Sequence, residues 1–180
     1  YINRVRRVVR DFYGRLEREG KLGQTSFGIV GDRNNNEGRP QLEYVAKVFQ
    51  PLRPGTPPAQ VLASFDMLKP ATVSTHSWDE DGLFGLYTAL NSPEMEWSKF
   101  DARILVQISD AGMLDAGDPK AQLRNISLNN IRETADREGI AIIPIHLLTP
   151  EAEREGDIAK ARRQYQDLRR TRHPPTTQHI

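Results

Sequence analysis

The chain has 180 residues and a formal net charge of +1, with 37% hydrophobic and 27% charged residues, and it contains no cysteine. This length fits one domain with a sizeable core, and the near-zero charge gives no overall bias toward nucleic acid or acidic lipid. The lack of cysteine excludes disulfides, iron–sulfur clusters and cysteine-based zinc sites, and no apolar run approaches the ~20 residues that a transmembrane helix needs.

The first fifty residues predict a helix and then a pair of strands. Apolar residues recur at helical spacing from Ile2 to Leu16, and Gly20 suits the end of this helix. Segments 25–32 and 42–49 are rich in apolar residues and are separated by a polar turn. This pattern is typical of an antiparallel β-hairpin.

The next segments predict two helices joined by a loop. A short helix begins at Pro58, after a proline-rich break in the chain. Residues 69–78 form a loop that is long enough to suggest a functional surface. Ser77 and Glu80 have the spacing of a capping box, which predicts a helix over residues 79–91.

The second half of the chain predicts strands that alternate with helices. The stretch RILVQIS, residues 103–109, predicts a buried strand, and residues 140–148 form the most apolar strand of the chain. Ser127 caps a helix between these two strands, and Thr149 caps a last helix that runs to about Arg170.

Together these elements predict an α/β domain with a doubly wound, mostly parallel sheet. Continuous apolar strands that alternate with amphipathic helices are typical of a parallel sheet with helices on both faces, and the hairpin adds one antiparallel edge strand. A β/α unit begins with a strand, whereas this chain begins at Tyr1 inside a helical pattern. We therefore expect an N-terminally incomplete domain over residues 1–172, with its first central strand upstream of Tyr1, and a flexible tail over 173–180.

Five stretches give the sequence a resemblance to a known family. They are VRDFY, HSWDEDGLFGLYTAL, ARILVQISDAG, IPIHLLTPEA and ARRQYQDL. In this order they resemble the von Willebrand factor A (vWA) domain, most closely the C-terminal vWA domain of PpkA-type serine/threonine kinases of bacterial type VI secretion. The resemblance implies a Rossmann-like fold and a non-catalytic, regulatory role through protein–protein interaction. It also implies a place on the periplasmic side of the inner membrane, in a membrane-anchored parent kinase.

The same resemblance implies a degenerate divalent-cation site of the MIDAS type, the metal-ion-dependent adhesion site of this family, at the carboxyl edge of the sheet. Asp110 matches the aspartate of the third ligand loop, and the second loop offers Asp79 and Asp81. Oxygen ligands of this kind suit Mg²⁺. The first ligand loop, Asp-x-Ser-x-Ser, would precede Tyr1, so we expect binding of Mg²⁺ or another divalent cation to be weak or absent.

These three aspartates also have ordinary structural interpretations. Asp110 can cap the turn that follows it through its own backbone. Asp79 and Asp81 in the first turn of a helix complement the helix dipole. The sequence leaves both interpretations open.

The carboxyl edge of the sheet is also the surface predicted to bind a partner protein. Open α/β sheets bind ligands at this edge, and the loops 70–80 and 110–122 should meet there. Within them, His76, Trp78 and Asp115 are the candidate partner-binding residues.

An enzymatic function is the alternative to an interaction module. Carboxylates at a sheet edge with a bound metal can hydrolyse a substrate. Against this, the sequence shows no paired base or nucleophile, no nucleotide-binding loop and no kinase signature, so we assign no catalytic or cofactor-binding residue. Nucleic-acid binding is not expected either, because the arginines near the C-terminus are spread around their helix.

Overall fold

The computed structural model describes residues 2–34, 42–73 and 77–169. Its helices are α1 (Ile2–Arg18), α2 (Pro58–Met67), α3 (Gly82–Asn91), α4 (Leu128–Arg137), α5 (Pro150–Arg154) and α6 (Ile158–Leu168). Its strands are β1 (Ile29–Asp32), β2 (Ala46–Gln50), β3 (Ile104–Ser109) and β4 (Ala141–His146). None of the helices in these ranges is long and apolar enough to cross a membrane.

The first two strands form the predicted antiparallel hairpin. Asp32 of β1 pairs with Ala46 of β2. α1 and α2 pack on one face of the hairpin, where Ile29 joins a buried cluster with Tyr13 and Phe65. α3 packs on the other face, so both faces of this small sheet are covered.

The last two strands form a parallel pair, which also agrees with the prediction. Leu105 pairs with Ile142 in the middle of one face, and both are buried in a core with residues of α3, α4 and α6. On the opposite face the paired residues Val106 and Ile143 are 50% and 46% exposed. Among the described residues the helices that share the core of β3 and β4 all lie on one side, so helices on both faces of this pair stay a prediction.

The two sheets are joined at one edge by an extended segment rather than by strand pairing. The N–H of Asp81 donates to the carbonyl of Arg33, just after β1, over 3.3 Å. Glu80 pairs in parallel with Met113, just after β3. The carboxyl ends of β1 and β3 therefore meet at the same edge. The structure is a mixed α/β fold, with two separate two-stranded sheets among the described residues.

The helix boundaries confirm two predicted caps and correct two other predictions. Ser127 and Thr149 accept the capping hydrogen bonds at α4 and α5. The capping box predicted at Ser77 is wrong, because α3 begins three residues later than expected and Asp81 is its N-cap residue. The prediction of a single last helix is also wrong, since Gly156, with φ of 69°, separates α5 from α6.

We predict that Gly85→Ala destabilises the protein by roughly 1–3 kcal/mol, the usual cost of overpacking a core. A Cβ atom at Gly85 would lie 2.7 Å from Cβ of Asp32, so the helix and the strand would have to separate. Urea unfolding would measure the loss. Gly23→Ala is the control, because a Cβ atom there meets nothing within 4 Å. Equal stabilities of the two variants would contradict the close packing of α3 on β1.

Candidate acidic site at the carboxyl edge

Three carboxylates from different parts of the chain lie at the edge where the two sheets are joined. Asp32 is the last residue of β1, and Asp110 directly follows β3. Glu80 lies in the extended segment between them, and its carboxylate is repelled by the charges of both aspartates. We call Asp32, Glu80 and Asp110 the acidic group.

Glu80 has the most perturbed environment of the three. Burial, followed by the charges of Asp32 and Asp110, raises the pKa of its carboxyl to about 8. A backbone N–H of Asn34 donates to the carboxylate, which opposes this effect. Its Oε2 atom is buried and has no hydrogen-bond partner among the described residues. At neutral pH Glu80 therefore retains its proton in most molecules.

Asp32 also has a carboxyl with a raised pKa. The residue remains accessible to solvent, yet the surrounding protein is dense enough that desolvation raises the pKa of its carboxyl to about 6. The charge of Asp81 adds to this effect.

Asp81 attaches the loop after β3 to the start of α3. Its side chain is almost fully buried, and Oδ2 accepts a hydrogen bond of 2.7 Å from the backbone N–H of Gln122. Burial raises the pKa of this carboxyl, and the bond from Gln122 opposes the rise. Asp81 therefore holds the far end of the loop 110–122 in place.

Contacts with α6 hold the near end of the same loop. Lys160 lies 2.8 Å from Oδ2 of Asp79 and 3.5 Å from Oδ2 of Asp115. Gln164 accepts from the N–H of Met113 over 2.8 Å, and its amide donates to Oδ1 of Asp115 over 3.0 Å. Asp157, at the start of α6, accepts a hydrogen bond from the N–H of the loop residue 112. The rim of the acidic group is thus fixed by side chains of α6.

The structure distributes the predicted metal ligands among different contacts. Asp110 belongs to the acidic group, whereas Asp79 is paired with Lys160 and Asp81 is hydrogen-bonded to Gln122. In the part of the chain that is described, no group of three or more His, Asp or Glu side chains is placed to hold a metal ion. The magnesium site therefore stays a prediction.

The predicted partner-binding residues have different positions. His76 lies outside the described residues. Trp78 is half-buried, and its indole N–H has no hydrogen-bond partner among the residues described. The side chain of Asp115 is 72% exposed, beside Lys160. Trp78 and Asp115 remain candidates for partner contact.

Sequence reasoning did not select Asp32 or Glu80 as site residues. Asp32 ends an apolar strand just as Asp110 follows one, so the same signal was present at both positions. Glu80 was interpreted only as a partner in a capping box. Its location between two sheets depends on tertiary contacts, which helical spacing does not report.

Comparisons with known proteins add no family assignment. No family model matches the chain, and no curated protein matches it. The functional argument therefore depends on the geometry of the carboxyl edge.

The free energy of unfolding should fall as pH rises, because Glu80 ionises more easily in the unfolded chain. We predict that Glu80→Gln makes this fall smaller. The pKa of Glu80 is about 8 in the folded state and near 4.5 when unfolded, so ionisation favours the unfolded chain progressively between these two values. Each pKa unit corresponds to about 1.4 kcal/mol, so the variant should gain on the order of a few kcal/mol over the parent protein above pH 8. Urea unfolding at pH 4, 6 and 8.5 would measure the difference, which should vanish near pH 4.

The matched control is Glu94→Gln, because Glu94 is exposed and lies away from the acidic group. Its stability should follow that of the parent protein at each pH. A Glu80→Gln variant with the same pH dependence as the parent would contradict the buried, protonated state of Glu80.

Proposed function

We propose that this chain is a non-catalytic interaction domain that binds a partner protein at the carboxyl edge of its sheets. The observation that supports this function is the acidic group within a rim fixed by Asp81 and Gln164. A rigid rim needs little ordering on binding, so more of the contact energy appears as affinity. In this proposal the domain recognises its partner protein through the acidic group.

The acidic group favours a cationic contact from the partner. The charges of Asp32 and Asp110 disfavour a charge on Glu80, and a positive charge placed beside these side chains offsets that repulsion. A lysine or arginine side chain of the partner can provide this charge with hydrogen-bond donors. Oε2 of Glu80, which has no hydrogen-bond partner among the described residues, accepts from such a donor once the carboxyl has lost its proton.

The identity proposed for the domain is the vWA type, with the five sequence stretches as its support. In this proposal both small sheets belong to one doubly wound sheet. The parent protein is a serine/threonine kinase associated with type VI secretion, and the domain lies on the periplasmic side of the bacterial inner membrane. A divalent cation such as Mg²⁺ is part of the proposal only as a weak ligand of Asp110 and its neighbours.

One observation favours the alternative, a metal-dependent hydrolase. A carboxyl with a pKa of about 8 keeps a proton that it can donate at neutral pH, as a general acid does. The same pKa follows from burial and neighbouring charge without any catalytic role. Interaction therefore remains the preferred function.

We predict that Asp110→Asn in the full-length protein weakens capture of its binding partner at least tenfold. The substitution removes a charge from the acidic group while it keeps the side-chain size. Asp101→Asn is the matched control, since Asp101 is exposed near the amino end of β3 and should not affect capture. Affinity capture followed by titration of the captured protein would measure both variants.

Hydrolase activity is tested on the same proteins with a nitrophenyl phosphoester, Mg²⁺ and Mn²⁺. The interaction proposal expects no turnover by the parent protein. Turnover that Asp110→Asn abolishes and Asp101→Asn preserves would support the hydrolase and contradict the proposed function.

We predict that Mg²⁺ binds residues 1–180 with millimolar or weaker affinity. Asp79 and Asp81 already have partners in Lys160 and the N–H of Gln122, so Asp110 lacks them as co-ligands. Calorimetric titration measures the affinity, with Asp110→Asn as the control for specific binding. Micromolar affinity that this substitution removes would show the prediction to be wrong.

A further inference from the structure

α1 carries a row of arginines on its exposed side. Arg4, Arg7 and Arg10 follow one another at intervals of three residues, so each side chain lies next to the following one on the helix surface. All three are exposed. Unlike Arg6 and Arg15 of the same helix, none of them forms an ion pair with a described residue. We call Arg4, Arg7 and Arg10 the arginine row.

The arginine row lies on the outer side of the domain. The other side of α1 packs on the hairpin, where Val9 and Tyr13 join the buried cluster. Val8 and Phe12, which are one helical turn apart, are 65% and 44% exposed beside the row. α1 therefore presents a basic surface with an apolar border that the described part of the chain does not cover.

Uncompensated charge of the opposite sign lies at the carboxyl edge. Lys160, at the rim of this edge, pairs with Asp79 and Asp115. No member of the acidic group forms an ion pair with a described residue. The acidic group and the arginine row are therefore two surfaces of opposite charge that do not neutralise each other within the described chain.

An exposed apolar residue lies at the carboxyl edge as well. The N–H of Leu147 donates to the carbonyl of Ser109 over 2.9 Å. This bond places the next residues, Leu148 and Asp110, at the same end of two neighbouring strands. Leu148 is 65% exposed. The edge thus joins carboxylates to an apolar side chain, just as the surface of α1 joins arginines to its apolar border.

We propose that α1 of one copy of this chain binds the carboxyl edge of a second copy, with the arginine row against the acidic group. Val8 and Phe12 then pack against Leu148 beside the charged contact. The inference rests on the proposed function, because it names a second copy of the chain as the partner bound at this edge. The two surfaces are different parts of one sequence, so each copy carries both halves of the contact.

The charges of the two surfaces favour this partner. A formal net charge of +1 gives two copies little overall repulsion, while the opposite local charges attract and orient them. The planar guanidinium of arginine donates two parallel hydrogen bonds to one carboxylate. A cation beside Asp32 and Asp110 also offsets the repulsion that these residues exert on Glu80.

Sedimentation velocity of the 180-residue chain tests this proposal. The chain should self-associate at micromolar concentration in about 0.05 M NaCl and dissociate in about 0.5 M NaCl, where charges are screened. Arg4→Glu/Arg7→Glu and, separately, Asp110→Asn should raise the dissociation constant at least tenfold. Lys99→Glu/Arg137→Glu is the charge-matched control for the arginine variant, because both residues are exposed and precede β3 and β4 at the opposite edge. This control should associate like the parent chain.

A mixture of the two variants identifies the contact. The arginine variant keeps its acidic group, and Asp110→Asn keeps its arginine row. Together they should form a mixed dimer at a concentration at which each variant alone is monomeric. Circular dichroism checks that both are folded, and Arg7→Gln replaces the double variant if that variant loses helix. A mixture that stays monomeric, or variants that associate like the parent chain, would overturn the proposal.

Other occupants of the two surfaces give distinct results. A parent chain that is monomeric at low salt would overturn the proposal. So would a monomeric chain that binds vesicles of anionic phospholipid or duplex DNA through its arginine row. Capture of a different protein through Asp110, by a chain that does not self-associate, would overturn this inference and leave the proposed function intact.

Discussion

The backbone of Glu80 and Asp81 is the connection on which the rest of the structure depends. Its hydrogen bonds reach Arg33 after β1 on one side and Gly112 and Leu114 after β3 on the other. Because α3 begins at the next residue, the same two residues also position the helix that packs on β1 and β2 and shares a hydrophobic core with β3 and β4. Two cores that share few other backbone bonds are thereby held in one arrangement.

This connection buries the carboxyl of Glu80 near two aspartates, which is electrostatically unfavourable and also creates the acidic group. Placing residue 80 between two strand ends buries its carboxyl and brings it close to two aspartates, which raises its pKa to about 8. Asp81 is buried as well, but its bond from Gln122 compensates part of the desolvation. The segment therefore carries one carboxyl with a structural partner and one whose Oε2 has no hydrogen-bond partner among the described residues.

The sequence predicted the features that are local and periodic. The strands of the hairpin and of the parallel pair, and the caps at Ser127 and Thr149, follow from patterns of neighbouring residues within each segment. The start of α3 was misplaced, since Ser77 and Glu80 match a capping box while tertiary hydrogen bonds hold Glu80 in an extended conformation. Glu80 and Asp32 were missed as site residues for the same reason. Their proximity to Asp110 depends on how the sheets are joined, which no local pattern encodes.

The apolar side chains of β3 also form a pattern that contacts among the described residues do not explain. A strand with one covered face should alternate apolar and polar side chains, whereas Ile104, Val106 and Ile108 are apolar on the open face. The covered face carries Leu105 and then Gln107, so the more uniformly apolar side is the exposed one. Such a strand matches an environment with a neighbouring strand on each edge and cover on each face.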